Sequence, residues 1–298
     1  MKNIYDVICC PVCGARLSLV GKSLVCEGAE KRHVYDVASS GYVNLLPPGR
    51  KKNAVTGDSR ELVRSRTAFL STGHYDAVSD AAAHLAAKLV RPSDGPFAFA
   101  DFGCGEGYHT CRIAGALADT GVPVVGVGFD ASKYAAEAGA KRAARSGFST
   151  LALNDSPRGA ALCFFAGNFF RPPVFPSSLS CVISMFAPVA YGAADRVLRE
   201  GGGIVVLIPG PDHLIEMRDL IYPNVRKREE PTPPPAPFKT VERTETRYTV
   251  RLTARETVDL FSMTPFSRRV PEEAQRRVTE AGEMTVTVDV SADLIVRG

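Results

Sequence analysis

No run of about 18 apolar residues occurs anywhere in the 298-residue chain, so no membrane-spanning helix is expected. The opening stretch, MKNIYDVICCPVCG, has neither the apolar segment nor the small-residue cleavage site of a secretory signal. The expectation is a soluble, cytoplasmic protein. Internal repeats are absent, as is any strong charge bias: the formal net charge is only +4. That balance is compatible with a nucleic-acid partner without requiring one. The basic residues come in short runs, GRKK ending at Lys52, Arg226–Arg228, Arg268–Arg269 and Arg276–Arg277, each of which taken singly reads as a solvated face. The length suits about two domains, and a hydrophobic fraction of 45% is enough for a sizeable core.

Four of the eight cysteines fall within the first 26 residues: Cys9, Cys10, Cys13 and Cys26. In a reducing compartment such a cluster points to metal rather than to disulfides. Cys10 and Cys13 form a Cys-x-x-Cys turn, which can place two thiolates on one zinc ion. Cys26 and His33 would complete a tetrahedron, although the six residues between them exceed the usual three to five. RLSLV and SLVCE flank a turn at Gly21–Lys22 and suit a two-stranded ribbon. A closed set of four protein ligands makes such a site structural, and its metal contributes folding energy directly. The competing readings are a redox Cys-x-x-Cys or idle thiols; within the zinc reading Cys9 is an alternative ligand to Cys10, which has the standard spacing to Cys13. The remaining cysteines (Cys104, Cys111, Cys163, Cys181) sit in apolar or glycine-rich surroundings and read as small buried residues.

A second pattern begins at Phe97. FAFADF is an apolar run fit for a buried strand, GCGEG breaks it, and YHTCRIAGALAD follows with helical spacing. Strand, glycine turn and helix form the first unit of a doubly wound sheet. The next strand, VPVVGVGF, ends at Asp130, where an acidic residue commonly takes the two ribose hydroxyls of an adenosine cofactor. Gly103 and Gly105 permit close approach of ligand to backbone. Asp101, which opens the turn, would repel a pyrophosphate but suits a cationic amino-acid tail. The pattern therefore favours S-adenosyl-L-methionine over a dinucleotide. Further on, SLSCVISMFAP reads as a strand with a loop at Ala187–Pro188. AADRVLREGGGIVVLIPG reads as a helix, a turn at Gly201–Gly203 and a strand. RYTVRLT and MTVTVDVSADLIV alternate as antiparallel strands do, and EEPTPPPAPF is unfit for a helix or central strand. The fold expected is α/β: a class I S-adenosylmethionine-dependent methyltransferase sheet, Rossmann-like and doubly wound, behind an N-terminal zinc-ribbon-like domain. The corresponding division is 1–45 for zinc binding and RNA recognition, 46–78 for a linker and cofactor-covering segment, and 79–298 for the methyltransferase.

The zinc segment running into YDVASSGYVNLL, then GDSRELVRSRTAFLSTGHY, DFGCGEGYHT, DASKYAAEAGAKR, FAP, GPDHLIEMRDLIY and SMTPF, together resembles the RlmA-type 23S rRNA (guanine-N1)-methyltransferases along nearly the whole chain. The resemblance implies methyl transfer from S-adenosyl-L-methionine to N1 of a guanine in a hairpin loop of 23S rRNA. It implies structural Zn2+ on Cys10, Cys13, Cys26 and His33, and cofactor contacts at Tyr75, Gly105, Glu106 and His213. It also admits a homodimer whose zinc domains line an RNA-sized cleft. No residue stands out as a general base, although His109, His74 and Glu106 fall near the expected pocket. Two other readings remain open from sequence: a methyltransferase acting on a small molecule, and a binding module with a vestigial cofactor site.

Overall fold

The computed structural model describes residues 3–28, 32–47, 57–91, 95–151, 159–225 and 232–298. The runs GRKK and Arg226–Arg228 lie outside them. At the N-terminus, β1 (Leu17–Val20) and β2 (Ser23–Cys26) form an antiparallel hairpin about Gly21, and β3 (Val34–Asp36) adds to β2. Gly21 turns the hairpin at φ 61°, a left-handed conformation that costs glycine little.

The main sheet has eight strands: β4 (Val43–Asn44), β5 (Phe97–Phe102), β6 (Val124–Asp130), β7 (Ala160–Ala166), β8 (Leu179–Met185), β9 (Leu198–Pro209), β10 (Phe238–Leu252) and β11 (Met284–Arg297). Their order is β10-β11-β9-β8-β5-β6-β7-β4. Strands β4 to β9 pair in parallel, whereas β11 runs antiparallel to β9 and β10 antiparallel to β11. This is the doubly wound sheet with an antiparallel tail expected from the sequence. The chain order reverses at β5, which lies between β6 and β8, and a ligand crevice is expected beyond the carboxyl ends of these strands.

The Gly201–Gly203 run is not a turn. It lies inside β9, where the register against β8 jumps: Leu179 faces Leu198, but Cys181 already faces Gly203. A Cβ on Gly203 would lie 2.9 Å from the Ile295 carbonyl oxygen, so glycine lets β9 and β11 close up.

Side chains of β5 alternate between two cores. Phe97 and Phe99 pack with α2 (Asp76–Ala87), α3 (Tyr108–Ala118) and α4 (Lys133–Arg145). Ala98, Ala100 and Phe102 share the other core with α5 (Tyr191–Val197) and with the N-terminal segment. Ile4, Val7, Ile8, Leu17, Leu24 and Leu45 are buried there beside Phe129, Phe165 and Val174. The connection from β7 to β8 contains no helix, and the N-terminal segment covers that face instead. Ile8 bridges Val174, the Cys9 amide donates to the Pro173 carbonyl (2.9 Å), and β4 pairs with β7. The ribbon is thus one layer of the fold. No helix among the described residues is long and apolar enough to cross a membrane.

Candidate functional site

Cys10, Cys13, Cys26 and His33 converge, each offering one ligand atom within 4.8 Å of the others. The His33 Nδ1 lies 3.5, 3.7 and 3.4 Å from the sulfurs of Cys10, Cys13 and Cys26, and the sulfurs of Cys13 and Cys26 are 3.8 Å apart. A tetrahedral zinc with usual bond lengths requires about 3.8 Å between sulfurs and about 3.6 Å between sulfur and nitrogen. The donor set therefore fits zinc in both chemistry and spacing. Two outer contacts support it. The His33 amide donates to the Cys26 sulfur (3.4 Å), and the Tyr35 hydroxyl sits 3.3 Å from the Cys10 sulfur. Cys9 stands outside the cluster, its thiol pushed up to about 11 by burial.

At the carboxyl ends of β5, β6 and β8 a cleft of about 690 Å³ opens. All seven residues expected to touch the cofactor line it: Tyr75, Asp101, Gly103, Gly105, Glu106, Asp130 and His213. They come from four separate parts of the chain. The glycine turn is left-handed at Gly103 (φ 83°), where a Cβ would lie only 2.8 Å from that of Ala187.

The acidic groups differ in their surroundings. Asp130 accepts the amides of Gly105 (3.1 Å) and Ser132 (2.7 Å), so it holds the glycine turn in place while lining the cleft. Burial raises its carboxyl, the two amides opposing. Asp101 is fully buried, and burial lifts its carboxyl to about 7 although the Thr110 hydroxyl donates to Oδ2 at 2.5 Å. Its Oδ1 has no hydrogen-bond partner among the described residues, nor does Oε1 of the buried Glu106. The other Glu106 oxygen takes Nε (2.9 Å) and Nη2 (2.7 Å) of Arg142. Two buried carboxylate oxygens lacking donors, beside one glycine turn, fit a cationic ligand and oppose a pyrophosphate.

On the opposite wall, the Asp289 amide donates to His213 Nδ1 (3.2 Å), which leaves the neutral ring's proton on Nε2, 3.4 Å from the Tyr75 hydroxyl. His109 also lines the cleft, with Nδ1 2.8 Å from the Ser79 hydroxyl; burial, aided by Arg66, Arg112 and Arg142, pushes it down to about 3 and keeps it neutral. His74 does not line the cleft and instead pairs with Glu256 (3.2 Å).

Sequence reasoning did not single out several lining residues. Arg66 of α1 (Arg60–Leu70) pairs with Asp58 and donates to the Met263 carbonyl (3.2 Å). That bond ties the segment before α2 to the SMTPF stretch, whose Met263–Phe266 close one side of the cleft. Arg268 also pairs with Asp58 (3.1 Å), and Arg277 donates to the Leu220 carbonyl (2.8 Å), so these two basic residues serve the fold. Phe169 and Phe186 line the cleft as well.

A family model for the N-terminal domain of RlmA, a zinc ribbon, matches residues 8–54. A protein from Streptomyces fradiae named 23S rRNA (guanine(748)-N(1))-methyltransferase is 29% identical over 97% of this chain and 96% of its own length. A protein from Micromonospora griseorubida, assigned as a 23S rRNA (guanine-N(1)-)-methyltransferase, is 32% identical over 94% of both chains. One from Bacillus subtilis with the same assignment is 29% identical over 97% of this chain and 98% of its own. With a ribbon whose donors fit zinc, a class I sheet and this full-length similarity, the chain belongs to the RlmA-type 23S rRNA (guanine-N1)-methyltransferase family.

Proposed function

We propose that this protein transfers a methyl group from S-adenosyl-L-methionine to N1 of a guanine in a hairpin loop of 23S rRNA. The observation that carries the reading is the pair of buried carboxylate oxygens without donors, on Asp101 and Glu106, in the cleft of a chain similar to rRNA methyltransferases over almost its whole length. Asp101 and Glu106 receive the cationic amino-acid end of the cofactor. Asp130 receives the ribose hydroxyls, and Gly103 and Gly105 let the ligand approach the backbone. Tyr75 and His213, linked to each other, form the far wall. Bound there, the cofactor would supply an electrophilic methyl on its sulfonium to guanine N1, the sulfur–carbon electron pair returning to sulfur and the N1 proton passing to water. Holding the two reactants in line is the protein's main lever, worth roughly 7–11 kcal/mol in favourable systems.

Guanine N1 is blocked when the base is paired, so the target is an unpaired base splayed into the cleft. The zinc-bearing segment, residues 1–45, recognises the RNA, 46–78 covers the cofactor, and 79–298 performs the transfer. Asp58 and Arg66 in the cleft wall support the middle assignment. The test is to incubate the purified protein with labelled cofactor and 23S rRNA from cells lacking it, then map the modified base by mass. Label at N1 of one loop guanine is expected. Label absent from rRNA but present in small molecules of a cell extract would refute the reading.

A further inference from the structure

Phe186 follows β8 in the left-handed region, with φ 54°, a conformation that bulky L-residues avoid. Its amide donates to the Leu207 carbonyl (3.0 Å), and the neighbouring Ala187 presses on Gly103, so the loop is clamped between β9 and the glycine turn. Glycine or asparagine would adopt this backbone with less strain. Burial does not account for the phenylalanine either, since the residue is 41% exposed. The ring lies in the cleft, stacked 5.8 Å from His213 at 25°, and 6.2 and 6.3 Å from the rings of His109 and Tyr75.

The location matters as much as the exposure. Asp130 ends β6 and Phe186 follows β8, on opposite sides of the central β5. With a methyl donor anchored over β5 and β6 by Asp101 and Asp130, the acceptor must enter over β8. What it meets there is an exposed aromatic face held rigidly by its backbone. We propose that Phe186 is the platform on which the target guanine stacks, holding its N1 edge toward the methyl donor. The inference rests on the functional reading above and adds a substrate-binding residue to it.

The experiment compares wild type with Phe186→Leu, Phe186→Tyr and Phe186→Gly, using unmodified, deproteinised 23S rRNA and labelled S-adenosyl-L-methionine. Cofactor affinity is measured separately by calorimetry, without RNA. Base–aromatic stacking predicts a loss of roughly 5- to 150-fold in kcat/KM for rRNA in the leucine and glycine variants, with tyrosine within about threefold of wild type and cofactor affinity within about twofold throughout. The glycine variant relieves the backbone but also loses the ring's contacts with His213, His109 and Tyr75, so its melting temperature is measured alongside its cofactor affinity to separate folding from stacking. A leucine variant that methylates at the wild-type rate overturns the stacking role. So does a tyrosine variant as impaired as leucine. Failure of the wild type itself to label rRNA removes the functional reading and this inference with it.

Discussion

Affinity for S-adenosyl-L-methionine should depend on pH through Asp101. Burial, which disfavours the charged form, pushes this carboxyl up to about 7. A cofactor ammonium at its Oδ1, which has no partner among the described residues, would restore the ordinary range, near 3.9. Below pH 7 binding must therefore expel a proton, and affinity rises with pH. For one such group the dissociation constant should fall about 25-fold between pH 5.5 and pH 7.5 and then level off. Calorimetry at pH 6 in buffers of different ionisation enthalpy should detect close to one proton released per cofactor bound. The same shift has a stability consequence of opposite sense. The folded carboxyl is raised above its unfolded value, so in the absence of added cofactor the protein should lose stability from this group as pH rises from about 4 to 7, by up to about 4 kcal/mol. Glu106 and Asp130 are also raised by burial, and Asp101→Asn separates their part: that variant should bind more weakly at pH 7.5 and show a much flatter profile. A wild-type dissociation constant equal at pH 5.5 and 7.5, or an asparagine variant with the full slope, would refute the reasoning.

Three further outcomes are expected. Asp130→Ala removes a charged acceptor and should weaken cofactor binding by about 10- to 150-fold, from 1.5–3 kcal/mol for hydrogen bonds to a charged group; unchanged affinity by calorimetry would take Asp130 out of the site. Freshly purified, reduced protein should hold one zinc per chain, and Cys13→Ser should release it and lower the melting temperature of the whole protein, since the ribbon shares a core with β6 and β7; metal analysis and calorimetric melting check both points. Gly139→Ala places a Cβ 2.5 Å from the Phe164 ring between α4 and β7 and should destabilise the fold by about 1–3 kcal/mol, measured by urea denaturation, despite alanine's better helix propensity.

Local patterns in the sequence were enough to place the hairpin about Gly21, the strand–glycine turn–helix from Phe97 and the antiparallel tail, because each depends on near neighbours. The Gly201–Gly203 run misled for the opposite reason: its ladders to β8 and β11 are long-range, and they override the turn preference of the glycines. Tyr75 meets His213 across 138 residues, and nothing in either local stretch signals the contact. Phe186 was hidden in another way. Its short loop MFAP was visible, but which side chain would point into the cleft depends on a left-handed residue that the composition does not announce. Arg142 ends the stretch DASKYAAEAGAKR, and nothing local to it announces the ion pair with Glu106.

The ribbon's position has a consequence for how the protein lives in a cell. Because it occupies a face of the sheet where a helix would otherwise lie, the enzyme's stability is tied by mass action to free zinc: each tenfold rise above the dissociation constant adds about 1.4 kcal/mol to the folded state. A chain made without metal would leave Phe129, Phe165 and Val174 less well covered, and apolar surface of that kind is what chaperones and proteases engage. Metal supply then governs how much enzyme survives, although the metal itself takes no part in the methyl transfer.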